Sequence, residues 1–397
     1  MSKGTIIYIG GFELPDKNAA AQRVVGNAKL LRDIGYNVIL VGVYKELESK
    51  YVENSFYGFK CYSIQYPQSK INWLKYITEY EFYKDITEKY HNIYSFIFYN
   101  LPAFSMGRLI SYANKNNIKT FSDCTEWYEV TKKVNFKNII KRIDVKLRME
   151  YYNKKVTGVI SISRYLHNYY LNNNVSTLLL PPLVDIEDNK WILEGAKHKA
   201  SNTIKFVYAG SPFLITKGEA VASAKDRVDL IIDSLYQFHI SGKSFLFNII
   251  GITKENFLTA YPSFSNKVNQ MKGVLIFKGR ISHREAISML KKSHYSIFFR
   301  DDTLTTKAGF PTKLTEAISA ATAVITNRSS NIDEYIENGK NGFLINSINA
   351  DDITKILDEV FKLDTKEQTN IEFYTEKNKS IFDYRTYIGK VKGFIEQ

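Results

Sequence analysis

The run Arg300–Asn327 concentrates the residue types that could do chemistry on a phosphorylated ligand. A strand is expected to end at Arg300, a polar loop to carry Gly309, and a helix to open near Pro311. The first N–H groups of a helix have no intrahelical acceptor and sit at the positive end of its dipole, so they suit an anion such as a diphosphate. Glu316 falls a turn or so into that helix, where its carboxylate can accept two ribose hydroxyls. The competing reading is a helix that is merely capped and solvated. Other chemistries are not spelled out. The six His residues show no His-Glu-x-x-His spacing, and neither a Gly-x-x-x-x-Gly-Lys-Ser/Thr loop nor a Gly-x-Ser-x-Gly elbow occurs. No Asp-x-Asp pair is present to hold a divalent ion, so no metal and no cofactor is expected.

The elements that must position these residues follow from hydrophobic patterning. Strands are expected at Thr5–Ile9, Asn37–Val43, Tyr94–Tyr99, Lys119–Ser122 and Gly158–Ser161, with helical spacing between them, as in Ala19–Asp33. Runs apolar on nearly every residue fit a parallel sheet covered on both faces. The polar stretch after Pro181-Pro182 reads as a linker, and strand–helix alternation restarts at Ile204–Ala209. Further strands are expected at Phe245–Ile250, Val274–Phe277, Tyr295–Phe299 and Ala323–Thr326. Ser282-x-x-Glu285 reads as a capping box. The fold class is therefore α/β, with two Rossmann-like doubly wound domains facing each other across a cleft. The expected boundaries are 1–185, a linker 186–202, a second domain 203–380, and a C-terminal helix 381–397 packing back on the first domain.

Composition narrows the class. The 397 residues carry 54 Lys+Arg against 41 Asp+Glu, a net charge of +13, with 44% hydrophobic residues. That is globular rather than disordered. Two cysteines exclude a disulfide scaffold, and no apolar run reaches the ~18 residues of a membrane span. The start, Thr5–Phe12, resembles the core of a signal peptide, but Glu13, Asp16 and Lys17 follow at once, so a buried strand is expected. Basic charge with 14% aromatics is compatible with nucleic acid, but no RNA-binding signature, zinc finger or basic zipper is present, and no nucleic-acid partner is expected.

Gly309-Phe310, Glu316 and Val324-Ile325-Thr326 resemble the signature of the retaining nucleotide-sugar glycosyltransferases of the GT-B fold, the group 1 or family 4-like enzymes. The family pattern is Glu-Gly-Phe, five residues, Glu, then a small-residue helix end and a strand. The first Glu falls here on Ala308, so contact with the donor sugar must differ, through Lys307, Lys313 or backbone amides. The resemblance implies a donor site of Glu316, Gly309, Phe310, Pro311, Lys313, Arg300, Gly210 and Arg280, with a cationic clamp on the diphosphate. Lys225 is preferred over Arg227 for that clamp, and a solvated surface is the alternative for both. Gly10-Gly11 resembles the family's N-terminal glycine loop, or an ordinary tight turn. Ser161-Ile-Ser-Arg164 resembles a segment lining the cleft, so Gly10, Gly11 and Arg164 are assigned to the cleft and acceptor side. After the strand ending at Ser122, Asp123 or Glu126 would orient or deprotonate the acceptor hydroxyl, or the two form a helix N-cap pair.

The resemblance implies a UDP- or GDP-sugar donor, a glycan or lipid-linked acceptor, and retention without a metal, in surface-polysaccharide or glycoconjugate assembly. A sugar-nucleotide epimerase and a non-catalytic nucleotide-sugar or glycan-binding module are the alternatives. Residues 131–155 form a basic amphipathic stretch with an apolar stripe of Ile139, Ile140, Ile143 and Leu147. It suits an anionic membrane surface, or an ordinary packed helix. The expected location is cytoplasmic, peripheral on the inner face of the cell membrane.

Overall fold

The computed structural model describes residues 2–15, 18–45, 51–128, 136–192, 203–216, 219–221 and 225–397. Two compact units emerge: Met1–Val184 with Lys307–Phe310 and Tyr384–Gln397, and Asp185–Thr306 with Pro311–Asp383.

The first unit is built on the strands β1 (Thr5–Gly10), β2 (Asn37–Tyr44), β3 (Tyr51–Phe56), β4 (Phe59–Gln65), β5 (Ile93–Tyr99), β6 (Lys119–Cys124), β7 (Gly158–Ser161) and β8 (Thr177–Leu179). Their order is β3-β4-β2-β1-β5-β6-β7-β8, and only β3 and β4 pair antiparallel. β1 is buried at every position, which is why its residues read as a continuous apolar run. The helix Ala19–Ile34 begins where the Asn18 side chain accepts the Ala21 N–H at 2.8 Å and stops at Gly35, whose φ of 112° suits glycine. The chain end belongs to this unit: Phe394 packs 5.6 Å from Phe121, and the Tyr384 hydroxyl donates to Asp33 Oδ2 at 2.8 Å.

The second unit contains β9 (Ile204–Ala209), the small hairpin β10 (Leu214–Thr216) and β11 (Glu219–Val221), then β12 (Phe245–Ile250), β13 (Leu275–Gly279), β14 (Tyr295–Ile297), β15 (Ala323–Asn327) and β16 (Gly342–Ile345). Its parallel sheet runs β13-β12-β9-β14-β15-β16. The chain fills one side of β9, then crosses to the other, so β9 and β14 flank a topological switch point, the place where open α/β sheets bind ligands beyond their strand ends. Residues 186–192, read from sequence as linker, instead pack on this unit. Trp191 is buried there and its carbonyl accepts from Lys291. Residues 193–202 of the expected linker lie outside the described residues.

Candidate functional site

The strand ends of the second unit meet through glycines. Gly251 donates to the Gly279 carbonyl at 2.8 Å and Gly210 donates to the Ile250 carbonyl at 3.0 Å. A Cβ on Gly251 would lie 2.1 Å from the Gly210 carbonyl oxygen, so no side chain fits between these turns. Gly210 has φ 149°, and a Cβ there would lie 2.8 Å from Lys313 Nζ. The backbone after β9 therefore passes directly beside the Lys313 ammonium, with nothing else from residue 210 in the way.

Around that ammonium sits a buried charge cluster. Lys313 Nζ lies 2.7 Å from Asp226 Oδ2, and Arg300 Nε lies 3.6 Å from Asp226 Oδ1. The Tyr208 hydroxyl donates to Asp226 Oδ2 at 2.7 Å, and Lys313 Nζ stands 5.3 Å above the Tyr208 ring. Burial pushes the Asp226 carboxyl up, but the charges of Lys313 and Arg300 outweigh it and hold it below the usual value. The Tyr208 hydroxyl is pushed well up, by burial first and then by the Asp226 charge. Arg300 is itself fixed by sheet geometry: its N–H donates to Asn327 Oδ1 at 2.8 Å, and Asn327 Nδ2 returns a bond to its carbonyl at 2.9 Å. The cluster thus sets two cations around one carboxylate at the switch point, where an anionic ligand gains most from a low-dielectric, pre-placed field.

Lys313 and Glu316 share the helix Thr312–Ser319. Three residues apart, they lie on the same helix face, with about 4.5 Å of rise between them, the scale of the step from a nucleotide's phosphates to its sugar ring. Pro311 is the N-cap and supplies no side-chain bond, so no side chain of the cap residue occupies the first-turn N–H groups. Glu316 Oε1 meets His283 Nε2 at 3.2 Å. His283 is the first residue of the helix His283–Lys291, where the capping box of Ser282 and Glu285 forms as the sequence predicts.

The remaining candidates divide. Arg227 turns away from a clamp: it forks onto Asp229 at 3.0 and 2.8 Å and reaches Asp301 at 3.4 Å. These carboxylates raise its already high pKa further, the Asp229 hydrogen bonds first. Lys225 is exposed, its backbone N–H bound to the Pro212 carbonyl at 2.6 Å. Arg280 is exposed just after β13. Gly309, Phe310 and Pro311 are buried, and so is Ala308, which stands where a family Glu would be. Asp226, Tyr208 and His283 were not singled out by sequence. Asp226 reads as one more loop acid between two bases, and His283 as an unremarked first helical residue. Among the described residues no group of three His, Cys, Asp or Glu is placed to hold a metal ion.

The sequence profile of the family described as glycosyl transferases group 1 matches residues 210–378, the span that holds the charge cluster and Glu316. Residues 210–378 are a group 1 glycosyltransferase domain. No curated protein matches the chain. Solved structures match over nearly its whole length. The catalytic domain of starch synthase IV from Arabidopsis thaliana, bound to ADP and acarbose, has a TM-score of 0.70 at 12% identity, covering 100% of this chain and 99% of its own. Sucrose-phosphate synthase from Thermosynechococcus elongatus has 0.68 at 12%, covering 100% and 99%. Anabaena HepE with UDP and glucose has 0.66 at 12%, covering 99% of each chain. At these identities they show the fold, which is GT-B.

Apart from Lys307–Phe310, the first unit lies outside the group 1 match, and its Asp123 fills a different role from the one expected. Asp123 is fully buried. Arg23 grips it through Nη2 at 2.7 Å and Nε at 3.0 Å, the Tyr8 hydroxyl donates to Oδ2, and Asn27 Nδ2 approaches Oδ2 at 3.3 Å. Arg23 also donates to the carbonyls of Leu180 and Pro181, each at 3.1 Å. Such a carboxylate cannot take an acceptor proton: its lone pairs are committed and solvent is excluded. It joins β1, β6, the first helix and the chain beyond β8. Asp123 and Glu126 do not form an N-cap pair, since residues 125–128 are not helical. Glu126 is half-buried past the end of β6, the one of the two acids still able to meet a ligand. Gly10 serves packing: a Cβ there would lie 2.1 Å from the Tyr99 carbonyl oxygen, whereas one on Gly11 would meet only the Tyr76 hydroxyl at 3.7 Å. Arg164 is exposed at the start of a helix capped by Ser163.

Proposed function

We propose that the chain transfers a sugar from a UDP- or GDP-sugar to a hydroxyl of a glycan or lipid-linked acceptor, with retention at the anomeric carbon and without a metal. One observation carries the reading: Lys313 and Glu316 share one helix face beside the Gly210 turn, inside the segment that matches group 1 glycosyltransferases. Phosphate oxygens would meet Lys313, the helix start and the cation field around Asp226, and ribose hydroxyls would meet Glu316. The bond from the anomeric carbon to the diphosphate breaks, and a bond to the acceptor oxygen forms on the same face. The acceptor proton passes to the departing phosphate, whose growing charge Lys313 and Arg300 stabilise. These cations supply the positive charge that a divalent ion supplies elsewhere. HepE holds UDP and glucose, and starch synthase IV holds ADP, which supports a nucleoside diphosphate here. The proposed setting is surface-polysaccharide or glycoconjugate assembly in the cytoplasm.

The buried Ala308 favours a second reading, a nucleotide-sugar-binding module without turnover, because it removes a carboxylate the family uses on the donor sugar. Proton NMR of sugar nucleotide incubated with the protein separates the two. Nucleoside diphosphate released only when an acceptor pool is added, with a glycoside of the donor's own anomeric configuration, supports the transferase. Donor bound but never consumed supports the module, and a changed sugar nucleotide without acceptor points to epimerisation.

We extend the reading to an anionic membrane surface at the basic stretch. Its residues 131–135 lie outside the described ones. The helix Phe136–Lys146 is tied inward by Asp144, whose Oδ1 accepts the Ala103 N–H at 2.7 Å, and just beyond it Arg148 donates to the Asn100 carbonyl at 3.1 Å. Its outer side leaves Ile139 at 42% and Ile143 at 47% exposure, beside exposed Lys141 and Lys146. An apolar pair between lysines matches an interfacial helix rather than a packed one. Among the described residues no helix is long and apolar enough to cross a membrane. The protein is expected to float with phosphatidylglycerol vesicles and not with phosphatidylcholine, and the double variant I139E/I143E to lose at least about three-quarters of that binding. Equal flotation with both lipids removes the membrane surface from the account.

A further inference from the structure

We propose that His283 is the positioning residue for the ribose-recognising carboxylate: its Nε2–H holds Glu316 Oε1 so that the rest of the carboxylate is presented to the nucleotide's two hydroxyls. The inference rests on the nucleotide-site reading above and adds a residue to it.

The geometry leaves His283 one productive form. Nε2 lies 3.2 Å from Glu316 Oε1, and the two side chains are 20% and 18% exposed. Nδ1 is buried with no hydrogen-bond partner among the described residues. Were the proton on Nδ1, a buried N–H would go unsatisfied and the Nε2 lone pair would face a carboxylate oxygen, so both contacts would be unfavourable. With the proton on Nε2, the ring donates to Glu316 and leaves only a bare acceptor buried. The Nε2–H tautomer is therefore the one this geometry selects.

The ring also has an aromatic neighbour. The Trp191 ring meets it edge-on, with centroids 6.3 Å apart at 86°, and Trp191 is itself buried. Lys291, at the far end of the same helix, donates to the Trp191 carbonyl. The segment just past the unit boundary thus forms a wall behind the histidine. A carboxylate on a three-torsion side chain samples several rotamers when unheld, and fixing it beforehand removes an ordering cost from ligand binding. One Glu316 oxygen is then spoken for by His283, leaving Oε2 and a remaining lone pair of Oε1 for the 2′- and 3′-hydroxyls.

Calorimetry tests this with whichever of UDP, GDP and ADP binds the intact protein, and with the 2′,3′-dideoxy form of that nucleotide. Glutamine places its amide nitrogen close to the position of Nε2, whereas asparagine reaches only as far as Nδ1. His283→Ala and His283→Asn are expected to shrink the ribo-over-dideoxy affinity ratio about five- to tenfold, by weakening ribonucleotide binding alone. His283→Gln is expected to stay within about twofold of the wild-type ratio. Melting curves identify any variant that does not fold, and the Gln and Asn variants, which differ by one methylene, then decide. Wild-type ratios in both His283→Ala and His283→Asn overturn the positioning role and leave the nucleotide site standing. Failure of the wild type to bind any of the three nucleotides overturns the site, and this role with it.

Discussion

Asp123→Asn is expected to lower the stability of the first unit by about 3 to 5 kcal/mol, the cost of removing one partner from a buried ion pair. The Arg23 and Asp123 side chains are 2% and 0% exposed, so the guanidinium left behind has no water to turn to. The amide also puts a donor where the Tyr8 hydroxyl, Arg23 and Asn27 all point donors, so it replaces attraction with conflict. The outcome separates two roles that sequence alone leaves together. If Asp123 is structural, turnover per folded molecule is preserved at temperatures where the variant remains folded, and the melting transition moves down. A catalytic base would give the reverse: an unchanged transition and a turnover lower by about two to four orders of magnitude. Parallel calorimetric melts and initial rates distinguish these patterns directly.

Glu316→Ala is expected to weaken nucleoside-diphosphate binding by about a hundredfold, because it removes two charge-assisted hydrogen bonds worth together about 3 kcal/mol after solvation. The same change costs little stability. Within the protein it breaks one partly exposed pair, that with His283, of a kind that contributes about 0 to 1 kcal/mol. Glu316→Gln retains one acceptor oxygen and is expected to fall between wild type and Ala. Titration calorimetry for affinity, with melting as the control, reads both effects. A Glu316→Ala protein that binds its nucleotide as the wild type does would show that this carboxylate is no part of the site.

Much of the scaffold was legible because burial on both sheet faces writes itself as apolar runs. Gly158–Ser161, Ile204–Ala209 and Phe245–Ile250 were bounded from sequence as the structure has them. The β3–β4 hairpin escaped because β3 is largely exposed and carries Glu53, Asn54 and Ser55 in succession, so neither period shows. The helix Thr365–Asn378 escaped for a similar reason, being mostly polar on every side. At the candidate site, Arg300, Lys313 and Glu316 drew attention because they fall within one short run, and Gly210 because it ends a strand. Asp226 and His283 were not, because their partners lie far away in sequence: Asp226 meets Lys313 and Arg300, and His283 meets Glu316. The same limit misled the reading of Asp123. Its placement after a strand suggested an acceptor-side acid, while its burial against Arg23 is set by contacts a hundred residues apart.

The most direct test is titration calorimetry of the wild-type protein with UDP, GDP and ADP, first in chelator and then with magnesium. The account predicts that one of the three binds with a dissociation constant in roughly the micromolar range, about 8 kcal/mol, and that magnesium changes it by less than about threefold. No binding by any of the three under either condition would contradict the assignment of Gly210, Lys313 and Glu316 to a nucleoside-diphosphate site. Binding that appears only with magnesium would contradict the claim that Lys313 and Arg300 neutralise the diphosphate unaided.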